Sequence, residues 1–128
     1  MDAQRKTLNL LATLDAVDLN AVAETTLYTC PIGMVCYVTS VVIRKTAGAG
    51  ATPVDTVSIS FGWNTANAED VIANGVRTLT DVTYYLIIGA MDDAVHGIAA
   101  GTFKIDVQTA EGAALTCSVD VFGYLVPA

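Results

Sequence analysis

The residues best suited to do chemistry fall in one stretch, Asp92, Asp93 and His96, which holds the chain's single histidine. An imidazole beside carboxylates can act as a general base, with one carboxylate holding it in the right orientation. Such a base needs a nucleophile fixed by the fold, and the sequence contains no Gly-x-Ser-x-Gly elbow to supply one. His96 therefore reads as a solvated loop residue, and no catalytic residue is assigned. The two aspartates, with Glu69 and Asp70, offer the hard oxygen donors that calcium prefers, but their spacing fits no EF-hand loop. No metal and no cofactor is expected. Gly48 and Gly50 form a Gly-x-Gly that lacks the lysine of a phosphate-binding loop, so residues 47–53 read as a mobile loop. Trp63, Tyr84 and Tyr85 have aromatic faces of the kind that stack on sugars, and packing in a core or at an interface is the preferred reading for them. Cys30, Cys36 and Cys117 are odd in number and follow no trusted metal-binding spacing, so buried free thiols are expected.

Composition narrows the remaining classes. Apolar residues make up 53% of the 128 residues and charged residues 15%, against about 25% charged in an average soluble domain. A chain of this length suits one domain that buries roughly two thirds of its unfolded surface, which leaves an apolar surplus for something to cover. Arg44, Lys45, Asp55, Asp81 and Asp106 divide the apolar stretches below the ~18 to 20 residues of a membrane helix, so protein is the expected cover and not lipid. The net charge of −7, with six Lys and Arg in all, provides no basic patch to neutralise phosphates, so nucleic acid is not an expected partner. Near the N-terminus Thr13, Asp15 and Asp18 break the apolar run, no cleavage site is evident, and no signal peptide is expected.

The elements that must position these residues are strands. Residues 102–126 read as a long hairpin, with Phe103, Ile105 and Val107 on one face of the first strand and Lys104, Asp106 and Gln108 on the other. Gly112 marks the turn, and the return strand sets Leu115, Cys117, Val119 and Val121 on one face. Phe122 and Tyr124 then make its second face apolar too. Residues 1–21 read as an N-terminal arm, since Leu8, Leu10, Leu11, Leu14, Val17 and Leu19 fit neither a clean helix nor a clean strand. The domain proper is expected over residues 22–128. Residues 34–46 form the longest β-prone run, placing Val35, Tyr37, Val41 and Ile43 on one face and Cys36, Val38 and Val42 on the other. Residues 57–63 alternate, with Val57, Ile59, Phe61 and Trp63 on one side and a wet or thinly packed face opposite. Residues 64–75 read as a loop, followed by short strands at 76–80 and 83–88. About seven or eight strands with frequent turn signals predict an all-β antiparallel sandwich, jelly-roll-like, with Val35, Val41, Ile43, Ile59, Phe61, Ile105, Val107, Val119 and Val121 in its core.

Two segments carry a resemblance. Thr26-Leu27-Tyr28-Thr29-Cys30-Pro31-Ile32-Gly33 runs into Val38-Thr39-Ser40-Val41-Val42-Ile43-Arg44, and the chain ends on Val119-Asp120-Val121-Phe122-Gly123-Tyr124-Leu125. With Phe61-Gly62 between them, these landmarks resemble, in order, a group of small tailed-phage virion proteins of the head-decoration or minor-capsid type. The match spans residues 22–126 and its motifs are structural, a turn and two core strands. Cys30 stands where an apolar residue is expected. The resemblance implies a virion structural protein without enzymatic activity, most simply a decoration protein that binds the major capsid protein or another virion protein. The alternative is a tail or fibre component with host-glycan binding.

A two-layer sandwich leaves one face of each sheet wet, so side chains opposite the core that are themselves apolar predict a homo-oligomer. Val38, Val42, Phe122, Tyr124 and Val126 are the expected contact, and the resemblance favours a trimer. The core assignment is testable: Val119→Asp would bury an unpaired charge and is expected to cost more than about 4 kcal/mol in urea unfolding, whereas a near-wild-type midpoint would refute the strand register.

Overall fold

A computed structural model describes residues 9–48, 57–63, 68–77, 85–89, 96–110, 112 and 114–128. Eight strands lie among them: β1 (Asn9–Asp18), β2 (Ala23–Thr29), β3 (Met34–Gly48), β4 (Val57–Gly62), β5 (Ile72–Arg77), β6 (Tyr85–Gly89), β7 (Thr102–Thr109) and β8 (Leu115–Pro127). They form two antiparallel four-stranded sheets, ordered β1-β8-β3-β6 and β2-β7-β4-β5. The pairing is nested: first strand with last, second with seventh, third with sixth and fourth with fifth. A long antiparallel ribbon wound over itself gives this order, which makes the fold the expected jelly-roll-like sandwich. No helix among the described residues is long and apolar enough to cross a membrane.

The core lies between the sheets. Val41, Ile43, Ile59, Phe61, Ile105, Val107, Val119 and Val121 are all buried there, joined by Leu19, Leu27 and Leu115. Phe61 and Phe103 stack across adjacent strands with centroids 6.2 Å apart.

Three expectations about strand pairing and strand faces are corrected, each for a physical reason. β7 and β8 do not form a hairpin, because each belongs to a different sheet. Alternation along a strand fixes which side chains face inward but says nothing of the partner, so the faces of both strands are as expected while their pairing is not. In β3 the ladder slips by one residue at Thr39, between the Val38↔Gly123 and Ser40↔Phe122 pairs. One extra residue inverts every side chain before it relative to those after. Cys36 and Val38 therefore point into the core, and Val35 and Tyr37 point out half-buried. β4 has no wet face, since Ser58 and Ser60, on the side opposite Ile59 and Phe61, are buried as well.

Residues 9–18, read as part of an arm, form an edge strand on β8. Irregularities between Leu10 and Ala12 and between Leu14 and Val17, with Ala16 at a φ of 58°, insert extra residues into β1. Leu11, Leu14 and Val17 thus recur every third position yet pack on one core, which is why neither a period of two nor one of 3.6 fits. β5 likewise starts inside the stretch read as a loop; Arg77 is its last residue.

Gly123 is the tightest point of the β3–β8 ladder. A Cβ there would overlap the carbonyl oxygen of Tyr37 and meet Leu11 Cδ1 at 3.0 Å. Gly123→Ala is expected to lower unfolding stability by about 1–3 kcal/mol, the usual cost of overpacking. An unchanged denaturation midpoint would mean that the two strands can part there without loss.

Candidate interaction surface

The outer face of the first sheet divides into two chemically different halves. At the end where β3 begins and β8 finishes, Val35 lies opposite Val126 and Tyr37 opposite Tyr124. Leu10 on β1 lies opposite Phe122 and is 55% exposed. The Tyr37 and Tyr124 rings stack at 5.1 Å with an interplanar angle of 19°. Toward the other end the same strands carry polar side chains: Thr13 Oγ1 donates to Asp120 Oδ1 at 2.8 Å, and Ser118 Oγ donates to Asp15 Oδ1 at 3.1 Å. Val42 lies opposite Asp120, at the border between the halves.

Beside β3 the chain returns once more. Gly97 exchanges two backbone hydrogen bonds with Cys36, of 2.9 and 2.8 Å. This antiparallel bridge sets the His96 ring against Tyr37, centroids 5.3 Å apart. On the opposite side a Cβ at Gly97 would fall within the Trp63 indole ring, so only glycine allows the backbone to lie so close. Trp63 is 2% exposed and packs on Phe103 at 5.2 Å. It belongs to the core and offers no face to a sugar.

The candidate chemistry of this region is structural where it is described. His96 is half-buried against Tyr37, and its Nδ1 has no hydrogen-bond partner among the described residues. Asp70 Oδ1 accepts the Trp63 backbone N–H at 2.7 Å and Glu69 Oε1 accepts that of Asn74 at 3.2 Å, so both carboxylates fasten the chain between β4 and β5. Asp92, Asp93, Tyr84 and Gly50 lie outside the described residues; Gly48 ends β3 and Tyr85 opens β6. Among the described residues there is no group of three or more His, Cys, Asp or Glu placed to hold a metal ion. All three cysteines are free and buried, and burial pushes the thiols of Cys36 and Cys117 up to about 12, far from the thiolate that redox or nucleophilic chemistry requires.

Of the expected contact residues, Val42, Phe122, Tyr124 and Val126 do face outward, each half-buried by its neighbours. Val38 does not, because the slip at Thr39 turns it inward, and it is 7% exposed. Tyr37 takes its place on the outer face, and nothing in the local sequence marks that exchange.

On the second sheet an exposed carboxylate meets a buried one. Glu24 and Asp106 sit directly opposite one another on β2 and β7, and like charges so placed repel. Lys104 Nζ lies 3.9 Å from Glu24 Oε2, a partly exposed pair of small energetic weight.

No family model matches the sequence, and no curated protein matches it. Solved structures share the fold. A chain in the acidic stable capsid of Helicobacter pylori bacteriophage KHP30 superposes with a TM-score of 0.57 over 96% of this chain and 99% of its own, at 14% identity. A chain in the capsid of Ralstonia phage GP4 does so with a TM-score of 0.52 over 96% of this chain and 84% of its own, at 9% identity.

Burial, then the neighbouring Glu24 and Glu69 carboxylates, raises the Asp106 carboxyl above its ordinary range, with Lys104 opposing. A carboxyl raised in the folded state favours folding while it is protonated, and that contribution is lost as pH rises through its folded value. Asp106→Asn is therefore expected to melt above wild type at pH 7 and to converge with it below about pH 4, the ordinary aspartate range. Thermal melts across pH check the sign, and a variant less stable at pH 7 would show that the carboxylate is held by favourable contacts.

Proposed function

We propose that this protein is a structural component of a tailed-phage virion, a head-decorating protein that binds the shell as a homo-oligomer, with a trimer favoured. The observation that carries the reading is the nearly full-length likeness in fold to chains of two phage capsids. The outer face of the first sheet supports the self-association. Its apolar half gathers Leu10, Tyr37, Phe122, Tyr124 and Val126 on paired strands, and no charged side chain lies among them. Copies of a chain of net charge −7 meet with less repulsion through a patch without charged side chains. Trimers suit the three-fold and quasi-three-fold positions of an icosahedral shell. The role asks for no turnover and no cofactor, and its partners are further copies and the major capsid protein. A tail or fibre component that binds host glycans is less well supported, because Trp63, one of its candidate stacking residues, is in the core.

Light scattering of the purified chain is expected to give the mass of a closed oligomer, and Tyr124→Asp to give folded monomers. A monodisperse wild-type monomer at micromolar concentration would refute the self-association. Imaging of the particle then distinguishes head from tail.

A further inference from the structure

The end of the sandwich beyond the stacked tyrosines carries a second surface. The β2–β3 turn projects Ile32, which is 88% exposed, and the neighbouring segment at residues 97–101 projects Ile98, 59% exposed. Turn positions are dominated by Gly, Pro, Asn, Asp and Ser, so two exposed isoleucines at one end stand apart, and they sit on a hydrogen-bonded base. The Met34 N–H donates to the Pro31 carbonyl at 3.2 Å, Cys30 to Gly101 at 2.8 Å, Ala100 to Cys30 at 3.0 Å and Ala128 to Gly33 at 2.9 Å. Gly33 takes a φ of 83°, which permits the tight reversal.

Charge singles out the same end. Residues 25–43, 96–103 and 121–128 contain no Asp, Glu, Lys or Arg, and the strand pairing brings all three stretches together here. Depletion of charge around rigid apolar anchors is the composition of an interface core. Its partner must offer an apolar concavity, because the described residues of the tip carry no charged side chain to complement and Ile32 and Ile98 stand exposed on it. A second copy meeting it tip to tip would bury little beyond Ile32 and Ile98 on each side, short of the ~800 Å² per partner of a stable contact, whereas a pocket also encloses the flanks of the tip. The tip also adjoins the apolar half of the outer face without being part of it, so an oligomer joined through that face still presents its tips.

We infer that the Ile32–Ile98 tip is the surface by which the oligomer seats on the shell, filling an apolar pocket of a capsid subunit. The inference rests on the head-decoration reading. Shells of the encoding phage, assembled without this protein, are the probe, with binding measured by co-sedimentation. Ile32→Asp is expected to bind at least about tenfold more weakly while keeping the wild-type melting temperature and scattering mass. Val76→Asp, at an exposed apolar site on the edge strand β5 (64% exposed), is expected to bind as wild type. If wild type fails to co-sediment, the decoration reading falls and the docking surface with it. If wild type binds and Ile32→Asp binds equally well, the reading stands and the docking surface is overturned. Equal loss in Val76→Asp, or a drop in scattering mass for Ile32→Asp, overturns it too.

Discussion

The ladder between β3 and β8 is the interaction on which the rest depends. It runs from the Met34↔Pro127 pair to the Gly48↔Leu115 pair, the longest pairing in the structure. Both strands are central in their sheet, so β1 can attach only to β8 and β6 only to β3. The partners in this ladder are far apart in the chain, so it closes a long loop and its register must be specified strongly. The specification comes from Val41, Ile43, Val119 and Val121, which point inward from both strands and fall on the solvent side if either strand slides by one residue. The slip at Thr39 is then no defect. It lets Cys36 and Val38 point inward and Tyr37 outward beside Tyr124, while Thr39 Oγ1 donates to the Phe122 carbonyl at 3.3 Å.

How much of this the sequence disclosed follows from what a periodicity can encode. Period-two alternation in residues 57–63, 102–109 and 115–121 placed Ile59, Phe61, Ile105, Val119 and Val121 in the core, because no irregularity changes their phase. The same logic misplaced Val35 and Val38, since the extra residue at Thr39 leaves no mark in a run of β-branched side chains. It left residues 9–18 undecided because two irregularities stretch the spacing of Leu11, Leu14 and Val17. Pairing partners were the least legible feature: residues 102–126 look like a hairpin in any local window, and only the nested winding of the ribbon sends their halves to different sheets. Of the candidate surface, Phe122, Tyr124 and Val126 were visible as an apolar face opposite a core face. His96 and Gly97 were not, because their position depends on a bridge to Cys36 across sixty intervening residues of chain that no spacing rule connects.

The polar groups show what kind of recognition remains to the molecule. Asp70 and Glu69 hold backbone N–H groups, Asp15 and Asp120 join β1 to β8 through Ser118 and Thr13, and Gln108 Nε2 donates to Ser60 Oγ at 3.2 Å. The cysteines are enclosed and their thiols held protonated, and the one histidine leans on a tyrosine. These described side chains, of types that elsewhere bind or transform small molecules, are here turned to fixing strands and loops. Among the described residues, the Tyr37–Tyr124 face and the Ile32 and Ile98 tips face outward as apolar surface. Apolar recognition is non-directional and scales with area, so a contact built from it becomes strong when many identical copies each contribute a modest, well-fitted patch. Such a contact asks for a rigid frame that presents the patch in one fixed orientation, and the long β3–β8 ladder beneath Tyr37 and Tyr124 supplies it.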